Sequence, residues 1–164
     1  MSASGNPSIL KKLYPTARMP AAAVLQRFSP LDRRLIAQTV AEPLECVYDP
    51  MFRRAAAARE LLKPLPELDD VSNKGWSEAG GALDVLSPPR HRVLTAEQER
   101  WLFLRFNYCR YRLMRVLQAH RGKRLGMQAS REAVQWAREA LRTRNHIVRA
   151  NTCLLYTSPS PRDS

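Results

Sequence analysis

The sequence has few acidic residues and few aromatic ones. Its 164 residues include 27 Lys and Arg against 15 Asp and Glu, so the formal net charge is +12, and aromatic residues make up 7%. Such a surplus of positive charge favours an acidic partner, of which nucleic acid is the commonest. The length fits one domain with extensions. Because 45% of the residues are hydrophobic and 12 are proline, we expect a modest helical core with unstructured connections.

The chain also lacks any apolar run of the roughly 20 residues that a membrane-spanning helix needs. Its first twenty residues, MSASGNPSILKKLYPTARMP, do not contain the long apolar centre of a signal peptide. From these two absences we predict a cytoplasmic protein without a membrane partner.

Residues for catalysis or metal binding are scarce as well. The three cysteines have no paired spacing, which argues against a disulfide framework or a zinc site, and the three histidines are scattered, which favours surface positions. The sequence has no glycine-rich phosphate loop or nucleophile elbow, and the acid pair Asp69 and Asp70 lies in a loop-like stretch. We therefore predict no enzyme, no cofactor, no metal and no small-molecule substrate. The scattered residues are Cys46, Cys109, Cys153, His91, His120 and His146.

The first half of the chain is punctuated by proline. Residues 1–28 contain three prolines and few apolar residues in register, which predicts a mostly flexible arm. Two short helices are predicted in residues 29–63, because Ser29 and Asp49 each precede a proline in the pattern of a capped helix start. Residues 64–93 are dense in Pro, Gly, Ser and acidic residues, which predicts a disordered linker.

The strongest helical pattern follows Leu94. Thr95 and Gln98 have the spacing of a capping box. The apolar residues that follow recur at helical spacing, which predicts a helix of roughly 24 residues closed near Gly122. This apolar stripe consists of Leu102, Phe106, Cys109, Leu113 and Val116, flanked by Trp101, Leu104, Tyr108 and Tyr111.

A second long helix is predicted after a basic loop, with Ser130 as its cap. Its apolar stripe consists of Ala133, Ala137, Leu141 and Val148, widened by Val134 and Ile147. Two antiparallel helices joined by a short loop make a hairpin, which needs further helices to bury both faces. The sequence thus predicts an all-α fold with an incomplete helical domain in residues 94–152.

Positive charge is concentrated in this helical pair. Between Arg90 and Thr152 there are fifteen Lys and Arg against four Asp and Glu, which gives +11 of the total +12. Any surface that binds an acidic partner therefore belongs to the helical pair.

Three segments resemble regions of a known protein family, and they occur in the same order as in that family. LTAEQERWLFLRFNYCRYRL resembles region 1.2 of the bacterial sigma-70 family of RNA polymerase sigma factors, and REALRTRNHIVRAN resembles the start of region 2.1. In the second segment Asn145, Ile147, Ala150 and Asn151 match the family pattern in spacing. Upstream, AEPLECVYDPMF followed by LLKPLP resembles an N-terminal extension found in a subset of these factors. Together the matches cover residues 42–151, interrupted by the linker.

This resemblance implies a protein that binds core RNA polymerase and promoter DNA and directs promoter-specific transcription initiation. It implies a truncated sigma-type helical domain, since the parts that recognise the minus-ten element would follow Asn151. Region 1.2 helps to contact the discriminator strand in the family. In this chain the residues implied for such contacts are phosphate-binding cations and two stacking tyrosines: Arg90, Arg92, Arg100, Arg105, Tyr108, Arg110, Tyr111, Arg112, Arg115, Lys123 and Arg124.

Other interpretations remain open from the sequence. In one alternative, the two tyrosines are core residues and the arginines form a solvated face of the helix. A small basic helical RNA-binding or ribosome-associated protein would have a similar composition, and a protein-interaction module would dock through Leu102, Phe106 and Leu113. The segment before LTAEQE also departs from the family, because Pro88 and Pro89 prevent the helix usual there.

The last twelve residues, CLLYTSPSPRDS, replace the apolar continuation that the region 2.1 pattern leads us to expect after Asn151. A permitted coding of residues 153–163 resembles a transposase adapter used to prepare sequencing libraries. We therefore expect residues 153–164 to be an artefact and exclude them from the functional interpretation.

Overall fold

The computed structural model describes residues 9–13, 17–64 and 94–157, and side chains within these ranges except at 9, 13 and 151–157. Of the described residues, 68% are helical and 9% lie in strands. The elements in chain order are the strand β1 (Ile9–Leu13), the helices α1 (Ala22–Leu25) and α2 (Pro30–Ala41), the strand β2 (Leu44–Tyr48), a 3-10 helix (Pro50–Arg53), and the helices α3 (Ala57–Leu61), α4 (Ala96–Ala119) and α5 (Met127–Thr157).

The prediction of a mostly helical fold is confirmed, but the all-α class is corrected by a small sheet. β1 and β2 pair antiparallel, with Leu10 opposite Val47 and Lys12 opposite Glu45. β2 packs on α4, and the Val47 N–H donates to Asn107 Oδ1 at 2.9 Å. Because the partners of this sheet lie far apart in the sequence, no local pattern indicates it.

β1 also falls within residues 1–28, which the sequence predicts as a flexible arm, and a second part of that range is bonded to the rest of the fold. The Arg18 N–H donates to the Lys123 carbonyl at 2.8 Å, and the Leu125 N–H donates to the Arg18 carbonyl at 3.1 Å. Ala17 and Leu125 are both buried beside this bridge. The described part of the arm is therefore held by backbone hydrogen bonds, which its composition did not indicate.

α2 begins as the sequence predicts. Ser29 Oγ accepts from the Asp32 N–H at 3.2 Å, Pro30 is the first helical residue, and the helix ends before Pro43. The helix buries Ile36 and the Asp32 side chain. Asp32 accepts two hydrogen bonds from Arg138 of α5, at 2.8 and 2.6 Å, so an ion pair links these two helices.

The second short helix predicted between Asp49 and Pro64 is broken in the structure. Asp49 caps a 3-10 helix by accepting from the Met51 N–H at 2.8 Å, and α3 follows after a break. In one continuous α-helix, at 100° per residue, Phe52 and Leu61 would lie on opposite faces. The break allows both to be buried in the same core, at 4% and 2% exposure.

α4 and α5 are the two long helices and pack against each other. Both hydrogen bonds of the Thr95–Gln98 capping box are present, and α4 has the predicted 24 residues. α5 begins at Met127 rather than after Ser130, whose side chain is fully buried instead of capping a helix. Gly122 in the connecting loop has φ +72°, a conformation that glycine adopts without strain.

Within the described ranges, no helix combines the length and the apolar character needed to cross a bilayer. The predicted linker at 64–93 lies outside the described residues except for Pro64. α5 continues to Thr157, five residues into the segment that we expect to be an artefact.

Candidate nucleic-acid interface

The cations predicted from the sequence do not share one surface. Arg90 and Arg92 lie outside the described residues. Arg100 is exposed on the second turn of α4, while the remaining arginines of α4 point to three different surroundings.

Arg105 is occupied by contacts within the protein. Its Nη2 lies 3.0 Å from Glu139 Oε2 of α5, and its Nη1 donates to the Lys63 carbonyl at 3.3 Å. The guanidinium also lies 5.4 Å from the centre of the Trp101 ring. Only 14% of the side chain is exposed. Arg105 therefore joins α4, α5 and the segment that follows α3, and it presents little charge to a ligand.

Arg110 lies on a different and mainly apolar surface. It borders a groove of about 390 Å³ between α2, β2 and the two long helices, beside Leu35 and Leu113. Its guanidinium lies 5.1 Å from the centre of the Phe106 ring. Burial lowers the pKa of Arg110, because desolvation disfavours the charged form. Arg110 is thus half-buried and separated from the more exposed cations of α4.

Tyr108 and Tyr111 are core residues, which corrects the prediction that they stack on bases. Their side chains are 1% and 8% exposed. Phe52 contacts both rings, at centroid distances of 5.5 and 5.6 Å, and Trp136 of α5 meets Tyr108 edge-on at 5.8 Å. Stacking on a base requires an open ring face, which neither tyrosine presents. The alternative interpretation, in which the tyrosines belong to the core, describes them correctly.

Arg112 and Arg115 border a second groove, which we call the basic groove. It has a volume of about 580 Å³ and is lined by Phe52, Arg53, Tyr111, Arg112, Arg115, Val116, Ala119, His120 and Glu132. Four of these nine side chains are arginine or histidine, and one is an acid. The basic groove is therefore a site where anionic groups are favoured.

Contacts along the walls hold the basic side chains of this groove in place. Arg112 lies 5.0 Å from the centre of the Trp136 ring and 3.8 Å from Glu132 Oε1, and Arg53 lies 5.7 Å from the centre of the Tyr48 ring. His120 Nδ1 lies 2.9 Å from the Val116 carbonyl oxygen, so Nδ1 carries the hydrogen that it donates. Arg115 forms no ion pair within the described part of the chain.

A third group of cations, which we call the loop cluster, lies at the connection between α4 and α5. It consists of Arg18, Lys123 and Arg124, all exposed. The backbone bridge between Arg18 and the loop brings these three residues together. No ion pair involves them among the described residues. The predicted contacts Lys123 and Arg124 are thus accessible, and Arg18 adds a third cation.

Arg53, His120 and Arg18 belong to these clusters although the sequence did not predict them there. Arg53 follows the capped Asp49–Pro50 start, a pattern that predicts a helix but not where the helix packs. His120 is a scattered histidine, and Arg18 lies in the predicted flexible arm. Only long-range packing brings Arg53 to α4 and Arg18 to the α4–α5 loop, so the local sequence had no signal for these two residues. His120 directly follows α4, and the helical spacing of residues 112, 116 and 120 could have placed it on the face of Arg112.

The described residues offer no group of three or more His, Cys, Asp or Glu that would hold a metal ion. Cys46 and Cys109 are buried free thiols, and burial raises the pKa of Cys109 to about 12, so it remains a neutral core residue. What the surface offers is an arrangement of cations suited to phosphate oxygens. No protein-family model, curated protein or solved structure matches the chain.

Proposed function

We propose that this chain acts as a sigma factor of bacterial RNA polymerase, with α4 and α5 as the first helices of a sigma-type helical domain. In this proposal it works in the cytoplasm, binds core polymerase and promoter DNA to direct initiation, and performs no covalent chemistry of its own. Support comes from the three family-like segments, which occur in the family's order within residues 42–151. The resemblance to region 1.2 coincides with the capped start of α4, and Asn145 and Ile147 of the region 2.1 pattern lie on α5.

The observation that carries the nucleic-acid part of the proposal is the loop cluster. Lys123 and Arg124 are exposed, have no ion pair among the described residues and lie between the two family-like helices. Exposed cations without an ion pair attract phosphate groups. Their binding releases counterions from the nucleic acid, so the affinity falls as the salt concentration rises. Such contacts hold a nucleic acid but do not read its sequence.

The first test is retention on core RNA polymerase. The purified 164-residue chain is passed over immobilised core enzyme in the presence of heparin, which removes binding that depends on charge alone. We expect saturable retention that an established sigma factor displaces. A chain that passes through unretained, although it is folded, would contradict the sigma assignment.

The second test concerns the loop cluster. We expect Lys123→Ala combined with Arg124→Ala to weaken binding of a short single-stranded DNA about tenfold, because two phosphate-binding cations are removed. The matched control is Arg34→Ala combined with Arg59→Ala, which removes the same charge from exposed positions of α2 and α3. Equal losses of affinity in the two variants would show that only net charge matters.

The alternative is a small basic helical RNA-binding or ribosome-associated protein, which would use the same cations. The buried tyrosines leave phosphate contacts as its main means of binding, and these do not distinguish RNA from DNA. Retention on core polymerase therefore separates the two proposals. Equal affinity for any RNA, combined with no retention on polymerase, would favour the alternative.

A further inference from the structure

The basic groove is built by two parts of the chain that lie on either side of the predicted linker. The 3-10 helix of the first part contributes Phe52 and Arg53. α4 contributes most of the remaining wall, and α5 adds Glu132. The groove therefore exists only when the first part is docked on α4.

Phe52 fixes this docking. Its side chain is 4% exposed and contacts the rings of Tyr48, Tyr108 and Tyr111, at centroid distances between 5.5 and 6.0 Å. A buried aromatic side chain with this many ring contacts is a strong anchor. Because Arg53 is the next residue, its backbone is held at the edge of the groove while its side chain remains exposed.

The electrostatics of the groove favour an anion with several oxygens. Arg53, Arg112 and Arg115 carry three positive charges against the single negative charge of Glu132, which leaves a surplus of two. The Arg112–Glu132 distance of 3.8 Å is long for an ion pair, and both side chains are about 40% exposed, so little of this charge is neutralised.

The volume of the groove is also sufficient for a phosphate-bearing ligand. Its volume of about 580 Å³ is that of a small-molecule or nucleotide site. Phe52, Tyr111 and Val116 along it are at least nine-tenths buried, so they offer no open ring for stacking. Arginine suits phosphate because its planar guanidinium donates two parallel hydrogen bonds to two oxygens.

We propose that the basic groove is a phosphate-binding site completed by the N-terminal extension, by which we mean the family-like segment before the linker that contains the 3-10 helix, with Arg53 and Arg115 as its principal ligands. The proposal rests on the proposed function in taking a nucleic-acid backbone as the source of the phosphate. It gives the N-terminal extension a direct part in binding, beyond anything implied by the resemblance of α4 to region 1.2.

The test measures binding of the full chain to a fluorescent oligothymidylate at several salt concentrations. We expect Arg53→Ala and Arg115→Ala each to weaken binding about fivefold, and to reduce the slope of log affinity against log salt by about 0.7 for each phosphate that is no longer neutralised. The matched control is Arg59→Ala, which removes one exposed positive charge from the same N-terminal extension outside the groove. We expect this control to weaken binding less than about twofold.

The outcomes distinguish binding at a specific site from an effect of the net charge of the chain. Equal losses of affinity for Arg53→Ala and Arg59→Ala, with equal slopes, would overturn the proposal. A urea midpoint that is unchanged in all three variants ensures that the comparison concerns binding. Because core polymerase is not involved, a chain that fails to bind polymerase but shows the loss specific to Arg53 would keep this site and lose the sigma function.

A second arm distinguishes the source of the phosphate. Pyrophosphate is titrated into the chain and into Arg53→Ala by calorimetry. Binding that disappears in the variant assigns the site to free phosphate compounds as well. No binding of pyrophosphate, together with oligonucleotide binding that depends on Arg53, assigns it to nucleic-acid backbones.

Discussion

Two arginines of α4, Arg105 and Arg115, differ in whether an acid faces them. Arg105 lies 3.0 Å from Glu139, and its side chain is only 14% exposed. Arg115 is exposed and has no ion pair within the described part of the chain. The two residues have the same side chain on the same helix, so the difference comes entirely from what the neighbouring elements place opposite them.

The register of the helix pair explains this difference. The ion pairs join residue 105 to 139 and residue 112 to 132, so the numbers fall on α5 as they rise on α4. By the same register, Arg115 lies level with Ala129, which is small and uncharged. With only four acids between residues 90 and 152, the position of each acid decides which arginine is used in folding and which remains available.

Removal of the Phe52 side chain, which anchors the 3-10 helix on α4, should have the largest effect. We expect Phe52→Ala to lower the free energy of unfolding by about 3 kcal/mol, because a buried aromatic side chain is removed and a cavity remains. It should also weaken oligonucleotide binding, since Arg53 is no longer held at the groove. Urea denaturation measures the first effect.

The control for this substitution is Leu31→Ala, which removes an apolar side chain that is 57% exposed. We expect a change below about 0.5 kcal/mol there. A similar small change in Phe52→Ala would show that the 3-10 helix does not pack on α4 as described.

The second largest effect is expected when the ion pair between Asp32 and Arg138 is broken. We expect Arg138→Ala to cost about 2 kcal/mol, because it leaves the Asp32 carboxylate without its partner although that side chain is only 9% exposed. Adding Asp32→Asn should recover part of the loss, since the uncompensated charge is gone. Urea denaturation of both variants and of Arg131→Ala, an exposed arginine on the same helix, provides the comparison; equal costs for Arg138 and Arg131 would contradict it.

The helix caps, the sheet and the 3-10 helix show which features of the fold could be predicted from the sequence alone. The caps at Ser29, Asp49 and Thr95 were predicted correctly, because a cap depends on residues two or three positions apart. The sheet and the break after the 3-10 helix were not predicted, because each depends on contacts with distant elements. Local propensity therefore located the helices better than it located their surroundings.

Prediction of the candidate site had the same limit: the sequence located the cations on the helices but not the residues that surround them. The composition and the family resemblance directed attention to the cations of α4 and to the loop at Lys123 and Arg124, which the structure leaves exposed. They could not distinguish Arg105 from Arg115, since both fit the same pattern on one helix. They also missed Arg53, which reaches the basic groove only through the burial of Phe52 against α4.

Arg105→Ala should have a smaller effect than Arg138→Ala. We expect a loss of about 1 kcal/mol, because the ion pair is partly buried but Arg142 remains 3.9 Å from Glu139 to compensate it. Oligonucleotide affinity should change less than about twofold, in contrast to Arg115→Ala. Fluorescence anisotropy and urea denaturation of the two variants test the contrast; a larger binding loss in Arg105→Ala would remove the distinction between Arg105 and Arg115.

The smallest effect concerns the one acid in the basic groove. Glu132→Gln removes the negative charge that opposes Arg112 at 3.8 Å, and the pair is too long and too exposed to contribute much to stability. We expect an unchanged urea midpoint and an oligonucleotide affinity about twofold higher, which corresponds to the removal of a weak local repulsion. Glu97→Gln, in the first turn of α4, makes the same change in net charge away from the groove. If both variants bind equally more tightly, the effect belongs to the net charge of the chain; a gain confined to Glu132→Gln means that the position of an acid, rather than the number of acids, controls where this surface binds phosphate.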